Sequence, residues 1–279
     1  MLKIGFIDYY LDEWHANNYP AWIREASNGE MEVAYCWAEM DAPNGGLTSQ
    51  AWADRHGAVL CSTQEELIAK SDVLCVLAPD NPETHERLTR LALESGKITY
   101  VDKTFAPDTA AAQRMIALAE AHNTPMITTS ALRYATEYQQ LSRDGLVFCI
   151  STCGGTPEIY MIHQIEPIVM LFGTDALRVQ NVGTAAHPLF VIEFSDGRRA
   201  AFTFSNAEGF RMTLHTADGG SSLVPITSDF FQNFIQKLVA FYRTGEILVP
   251  HTETLAVAAI REACIQALYT PDTWIAVRR

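Results

Sequence analysis

Apolar runs alternate with amphipathic stretches along the first half of the chain. The runs LKIGFI, MEVAYCW, DVLCVLAP, KITYVD and TPMITTS predict strands. Helical patterns stand between them, such as PETHERLTRLALESG, which carries apolar residues on one face and ends on Gly96. Strands that are apolar on both faces and separated by helices predict a parallel sheet covered on both sides. Ligands of such sheets bind beyond the carboxyl ends of the strands.

The second half of the chain has a different pattern. GTPEIYMIHQIEPIVMLFG predicts a helix with Thr156 as its N-cap and Gly173 at its end. LFVIEFSDGRRAAFTF predicts two antiparallel strands joined by a turn at Asp196-Gly197, and FRMTLHTADG and SSLVPI predict further strands of the same kind. Two helical patterns close the chain. We therefore expect an α/β protein with a doubly wound parallel sheet in residues 1–128, followed by an α+β domain with a mostly antiparallel open sheet in residues 129–279.

Composition excludes several classes of partner. The chain has 279 residues and a net charge of −13, which disfavours nucleic acid and anionic membrane surfaces. We find no apolar run of about 20 residues, as a membrane span requires, and no signal-peptide pattern, which predicts a cytoplasmic location. The six cysteines are scattered and read as reduced, buried thiols. Cys149 and Cys153 with His163 have unusual spacing for a metal site, and we expect no metal.

Three stretches, taken in order, resemble one known family. LAPDNPETHERLTRLALESGKITYVDKTFAPDTAAAQRMIALAEAHNTPMITTSALRY is similar to the run that carries a strand-ending Pro, then Asn and His, and a Glu-Lys-Pro loop. IHQIEPIVMLFG resembles the family's His-containing substrate helix, and FIQKLVAFYRTGEILVPHTETLAVAAIREACIQAL its closing helices. The family is glucose–fructose oxidoreductase/inositol dehydrogenase/rhizopine catabolism (Gfo/Idh/MocA), and the resemblance covers nearly the whole chain.

The resemblance implies a Rossmann-like first domain that binds NAD or NADP, and hydride transfer to or from a sugar, polyol or related carbonyl compound. It implies a homodimer or homotetramer that pairs through the open sheet of the second domain. The family's catalytic lysine corresponds to Lys103 and its substrate-helix histidine to His163. Further residues fall at cofactor positions: Asp8, Tyr9, Tyr10, Leu11, Glu39, Ala78, Pro79, Asn81, His85 and Asp102. Three residues fall at substrate positions: Arg133, Tyr160 and Glu166.

The chemistry of the two catalytic candidates can also be argued from the residues themselves. An ammonium group such as that of Lys103, at the carboxyl end of a strand, stabilises negative charge on a carbonyl oxygen, although a surface lysine in an ordinary loop is the alternative. Glu166 lies one helical turn after His163, so both side chains point the same way. Pro167 lacks an N–H and is expected to kink the helix beside His163. The alternative for His163 is a core histidine. We expect His15, His187, His215 and His251 at the surface or in loops.

The pattern departs from the family at several positions. The dinucleotide fingerprint needs small residues at the first turn, but the positions of its glycines hold Asp8, Tyr10 and Glu13. A carboxylate about 4 Å from a phosphate repels it by roughly 4 kcal/mol at an effective dielectric constant of about 20. Asp8 instead can cap the helix and fill the anion site itself. The family's second acid corresponds to Ile159, and Thr104 replaces the proline after the lysine. The family's ribose-binding acid, expected after MEVAYCW, corresponds to Glu39 or Asp41, neither of which is in ideal register.

Two hypotheses follow from the sequence. The first is an NAD(P)-dependent oxidoreductase in which Lys103 polarises a carbonyl and His163 moves a proton. The second is a degenerate relative that binds a sugar-like ligand without redox turnover. The lysine and the histidine favour the first hypothesis, and the lost glycines favour the second.

Overall fold

A computed structural model describes residues 1–207 and 209–278. The chain divides into two compact units. The first contains Met1–Ala106, Ala110–Thr129 and Phe234–Pro250. The second contains Pro107–Thr109, Ser130–Asn233 and the chain from His251 onward.

The first unit is built on a six-stranded parallel sheet. Its strands are β1 (Leu2–Asp8), β2 (Met31–Ala38), β3 (Val59–Leu60), β4 (Val73–Val76), β5 (Thr99–Val101) and β6 (Met126–Ile127). The connecting helices are α1 (Trp14–Ala26), α2 (Ser49–His56), α3 (Gln64–Lys70), α4 (Pro82–Glu94) and α5 (Thr109–Ala121). The strand order β3-β2-β1-β4-β5-β6 reverses direction between β1 and β4, as in a doubly wound fold. The predicted Rossmann-like sheet is confirmed.

Burial explains why these apolar runs form inner strands. All four residues of β4 are buried, because helices cover both faces of the sheet. Gly5 in β1 is required by close packing: a Cβ atom at this position would lie 2.4 Å from Ser71 Oγ and 2.5 Å from Leu67 Cδ2. The short edge strand β3 was not predicted, since a strand of two residues is too short to show a pattern of apolar and polar positions.

The first unit also contains most of a helix that the sequence analysis assigned to the second domain. This helix is α8 (Phe230–Thr244), and its residues from Phe234 onward belong to the first unit. Phe234 packs against Tyr19 and Tyr100, with ring centroids 6.0 and 5.5 Å apart. Tyr242 donates a hydrogen bond to the carbonyl of Leu74 at 3.2 Å. The expected continuous domain 129–279 is therefore interrupted, because the apolar face of α8 packs on residues far away in sequence.

The second unit is built on a seven-stranded sheet. Its strands are β7 (Leu146–Cys153), β8 (Ala176–Asn181), β9 (Leu189–Phe194), β10 (Arg199–Phe204), β11 (Arg211–Thr216), β12 (Ser221–Pro225) and β13 (Ile275–Ala276). They follow the order β12-β11-β7-β10-β9-β8-β13. β7 and β10 run parallel, and the other pairings are antiparallel. The mostly antiparallel sheet is confirmed, although β7, β8 and β13 were not predicted.

Helices of the second unit pack against one another and supply much of its core. They are a 3-10 helix (Ala131–Tyr134), α6 (Thr136–Gln139), α7 (Pro157–Phe172) and α9 (His251–Tyr269). α7 runs through Pro167, and most of its residues after Tyr160 are buried. Among the described residues, no helix has both the length and the apolar character needed to cross a membrane. All six cysteines are free and buried.

Candidate functional site

The carboxyl ends of three neighbouring strands bring the predicted residues of the first unit together. Asp8 ends β1, Ala78 follows β4, and Asp102 follows β5. Backbone hydrogen bonds continue between these ends, from Leu77 N–H to the carbonyl of Ile7 at 2.9 Å and from Asp102 N–H to the carbonyl of Val76 at 2.8 Å. This is the edge and the reversal point at which ligands bind in open α/β sheets.

Asp102 is the centre of a buried polar network at this edge. Its Oδ1 accepts hydrogen bonds from the hydroxyl of Tyr100 at 2.7 Å and from the N–H of Lys103 at 2.9 Å. Its Oδ2 pairs with Nδ1 of His15. Burial opposes ionisation of Asp102, but the charge and hydrogen bond of His15, with help from Lys103, hold its pKa at about 2. Asp102 therefore stays a carboxylate and fixes the backbone of Lys103.

Lys103 lies at the end of β5 with little access to solvent. It is 8% exposed, and its Nζ donates to the carbonyl of Pro79 at 3.3 Å. The carboxylate of Asp80 lies 3.6 Å from the same Nζ. The peptide bond between Lys103 and Thr104 is cis. An ammonium group held in this way lies where it can stabilise negative charge on a ligand oxygen.

The turn between β1 and α1 is closed by Glu13. This residue is the N-cap of α1, and its carboxylate accepts hydrogen bonds from the backbone N–H groups of His15, at 2.7 Å, and of Ala16. Burial raises the pKa of Glu13 to about 7, although the charge of His15 and the two amide hydrogen bonds act in the opposite direction. The expectation that Asp8 caps this helix is wrong, because the carboxylate of Glu13 accepts the hydrogen bonds of the first-turn amides.

Asp8 lies inside the protein beneath this turn. It is 1% exposed; its Oδ1 accepts from the N–H of Tyr9 at 2.7 Å, and its Oδ2 has no hydrogen-bond partner among the described residues. Burial, together with the neighbouring carboxylate of Glu13, raises the pKa of Asp8 well above its usual range. The repulsion predicted for a charged Asp8 therefore needs correction: Asp8 is buried with a raised pKa, and the carboxylate at the helix amides is that of Glu13.

His85 connects two loops of this edge. Its ring nitrogens lie 2.9 Å from the carbonyl oxygen of Phe105 and 3.0 Å from that of Ala78. The side chain is fully buried, and burial lowers its pKa. Ala78 has a positive φ of 69°. Both ring nitrogens face backbone carbonyls, so His85 positions the loops, whereas the sequence placed it beside a cofactor.

The remaining cofactor candidates surround the turn. Glu39 makes a bidentate ion pair with Arg87, with oxygen–nitrogen distances of 2.6 and 2.9 Å. The guanidinium of Arg87 lies 5.9 Å from the ring centre of Tyr9, which in turn contacts Tyr10. Leu11 is buried, and Asn81 is the N-cap residue of α4 without a side-chain capping bond. The carboxylate of Glu39 is thus already paired with a cation, and its predicted cofactor role remains a prediction.

His163 lies on α7 in the second unit. Its Nδ1 is 2.7 Å from Oγ of Ser130, which orients the ring. The ring meets Tyr160 and Phe210 edge-on, with centroid distances of 5.5 and 6.0 Å. His163 is half-buried and Tyr160 is 38% exposed, so both have access to solvent. Their predicted roles in catalysis and substrate binding remain predictions.

Arg133 and Glu166, both predicted substrate contacts, pair with each other in the second unit. Arg133 Nη1 lies 3.5 Å from a carboxylate oxygen of Glu166, and its Nη2 pairs with Glu253. Arg133 and Glu166 are 6% and 5% exposed. A buried arginine between two carboxylates fixes the 3-10 helix against α7 and α9. Although Glu166 follows His163 on the same helix, its carboxylate serves this ion pair.

Sequence reasoning missed two residues of the first unit. His15 was expected at the surface, but it is 7% exposed, pairs with Asp102 and stacks on Tyr19 with ring centroids 5.1 Å apart. Tyr100 was read only as an apolar strand position. The available signal was the dense group of polar and aromatic residues between Asp8 and Tyr19, just after a buried strand. Within the described residues, no group of three or more His, Cys, Asp or Glu side chains is placed to bind a metal ion.

Comparisons with known proteins support the fold and the family resemblance. Residues 43–129 match the model of Gfo/Idh/MocA, described as an oxidoreductase family with an NAD-binding Rossmann fold. This match confirms the family resemblance. The matched range contains Ala78, Pro79, Asp102 and Lys103, and it begins after the turn that holds Glu13. No curated protein matches the sequence.

Solved structures share the fold over their full length. Myo-inositol 2-dehydrogenase from Lactobacillus plantarum aligns with a TM-score of 0.78 at 14% identity, covering 99% of each chain. Scyllo-inositol dehydrogenase from Lactobacillus casei, solved with NAD(H) and scyllo-inositol, aligns with a TM-score of 0.78 at 12% identity, also covering 99% of each chain. At such low identity these structures establish the fold alone.

The turn does not fit the cofactor that the matched family implies. A dinucleotide on this fold places its diphosphate against the N-terminus of the helix after β1. The N–H groups of His15 and Ala16 already donate to Glu13. A diphosphate and the capping carboxylate cannot share these donors, so the usual cofactor position is closed while Glu13 caps α1.

Proposed function

We propose that the protein is an oxidoreductase acting on a sugar, polyol or related carbonyl compound, with NAD or NADP as its expected redox partner. The observation that carries this proposal is Lys103, buried at the carboxyl end of β5 and held by Asp102 and Pro79. The matched family model, which spans this strand and its loop, supports the same reaction class.

The chain's own side chains define the proposed chemistry. Lys103 Nζ donates to the substrate oxygen and stabilises the negative charge that develops on it. Asp102 acts through the backbone of Lys103 and is therefore a positioning residue. We assign His163, oriented by Ser130, to donate or accept the substrate proton, and Tyr160 to contact the substrate. Lys103 and His163 belong to different units, and each assignment rests on contacts within that residue's own unit.

The test is a panel of polyols and sugars assayed with NAD and NADP by cofactor absorbance. Replacing Lys103 by Ala is expected to lower kcat/KM by at least about 100-fold, because a preorganised donor at a developing charge is lost. Lys237→Ala is the matched control, since Lys237 is an exposed lysine of α8. Full activity in Lys103→Ala would remove this residue from its role.

A second candidate function is the binding of a sugar-like ligand without redox turnover. The turn capped by Glu13 and the buried Asp8 favour this candidate, because neither offers a free hydrogen-bond donor to the diphosphate of a dinucleotide. Thermal-shift measurements with the same polyols, beside NADH and NADPH fluorescence titrations, separate the two functions. Stabilisation by a polyol with no cofactor binding at millimolar concentration supports the second candidate.

Assembly and location stay as predictions from the sequence. Exposed apolar side chains on several strands of the second unit's sheet support a homodimer or homotetramer: Val147, Ile150, Leu177 and Leu223. Size-exclusion chromatography with light scattering measures the number of subunits. The cytoplasmic location awaits a direct localisation measurement.

A further inference from the structure

The carboxylates at and just before the start of α1 already accept backbone N–H groups of this chain. The carboxylate of Glu13 takes the N–H groups of His15 and Ala16, and the carboxylate of Asp12 takes the N–H of Leu47 at 2.8 Å. Asp8 takes the N–H of Tyr9. A helix N-terminus attracts anions through such amides and through the helix dipole. Here the attracted anion is part of the chain.

A second contact holds this arrangement in place. His15, one residue into α1, pairs with Asp102 at the end of β5, and Asp102 is itself held by Tyr100 and by the N–H of Lys103. The pair joins residues that are 87 positions apart in sequence. The start of α1 is therefore tied to the same network that positions Lys103. Displacing the Glu13 carboxylate breaks its hydrogen bonds to the amides of His15 and Ala16.

We propose that Glu13 is an internal competitor for the diphosphate of a nicotinamide dinucleotide at the N-terminus of α1. This inference rests on the proposed function, because it concerns the cofactor that the oxidoreductase would use. Binding of the dinucleotide requires the Glu13 carboxylate to give up the amides of His15 and Ala16. The wild-type chain therefore binds NADH and NADPH weakly, and removing the carboxylate strengthens binding.

The experiment is a fluorescence titration of the full chain with NADH and NADPH. Glu13→Ser keeps a short capping side chain and opens space, and Glu13→Gln keeps the volume and removes the charge. We expect the dissociation constant to fall by at least about tenfold in Glu13→Ser and by less in Glu13→Gln. Glu65→Gln, which removes an exposed acid from the first turn of α3, is the matched control and is expected to change nothing.

Hydrogen–deuterium exchange provides a readout on the wild type alone. The amides of His15 and Ala16 are expected to be protected without any ligand. Glu13→Gln, which keeps only one of the two acceptor oxygens, is expected to speed the exchange of at least one of them. Thermal unfolding checks that each variant is folded. Fast exchange of both amides in the wild type, a wild-type dissociation constant in the micromolar range, or unchanged affinity in both folded variants would overturn the proposal.

The outcomes also separate this inference from the proposed function. If Glu13→Ser binds NADH more tightly but oxidises no polyol or sugar of the panel, the competitor role stands and the oxidoreductase assignment fails. If the wild type binds NADH tightly and turns over a substrate, the assignment stands and the competitor role fails.

Discussion

After β5, the first unit places a cation at the edge of its sheet: Lys103, fixed through its backbone by Asp102. After β1, the same edge carries two carboxylates, Asp8 beneath the turn and Glu13 on the helix amides. The loop after β5 lies within the range that matches the oxidoreductase family, and the loop after β1 lies before it. One edge thus holds the lysine that we propose for carbonyl chemistry, while in the neighbouring loop the helix amides are already occupied by Glu13.

The difference between the loops lies in how each carboxylate is compensated. Asp102 pairs with the ring of His15 and accepts two further hydrogen bonds, and its pKa falls to about 2. Burial outweighs the donors at Glu13 and raises its pKa to about 7. Two acids a short distance apart at one sheet edge therefore contribute to stability in opposite pH ranges.

The largest expected effect comes from Asp102→Asn. This change leaves His15 without its anionic partner, and we expect a loss of about 2–4 kcal/mol in the free energy of unfolding at pH 7. The folded pKa is depressed, so the contribution of Asp102 is present above pH 3.8 and is lost as the pH falls towards 2. Chemical denaturation at several pH values measures both effects. Asp54→Asn, at an exposed position on α2, is the control, and equal stability of the two variants would contradict the central role of Asp102.

A smaller and oppositely directed effect is expected from Glu13→Gln. The folded pKa of Glu13 is raised from 4.5 to about 7, so its contribution to stability is complete below pH 4.5 and is lost as the pH rises through 7. The variant lacks this titration, and its stability relative to the wild type is expected to rise by about 1–3 kcal/mol between pH 4.5 and 8. A pH-independent difference between the two proteins would contradict the raised pKa of Glu13.

The smallest effect is expected from Glu39→Gln. The ion pair with Arg87 is largely exposed, so its loss should change the free energy of unfolding by less than about 1 kcal/mol. Glu94→Gln, which breaks the exposed pair with Arg90, serves as the control. A selective loss of NADH affinity in Glu39→Gln, measured in the Glu13→Ser background, would make Glu39 the ribose-binding acid.

Much of the candidate site could be predicted because strand ends are visible in sequence. The apolar runs ending near Asp8, Ala78 and Asp102 placed these residues at one edge, since parallel strands carry their carboxyl ends together. Arg133 and Glu166 were harder. Their residue types suit a substrate contact, but in the structure the two buried side chains form an ion pair with each other. They are 33 positions apart in sequence, so no local pattern predicts this pairing.

The sequence by itself determined the alternation of buried strands and helices, the position of Lys103 after a strand, and the loss of small residues from the first turn. Only the tertiary structure decided which carboxylate caps α1, that His15 meets Asp102, and that α8 returns to the first unit. The physical reason is that periodicity is a local property of the chain. The partner and the burial of a charged side chain depend on residues that the sheet brings together from distant positions.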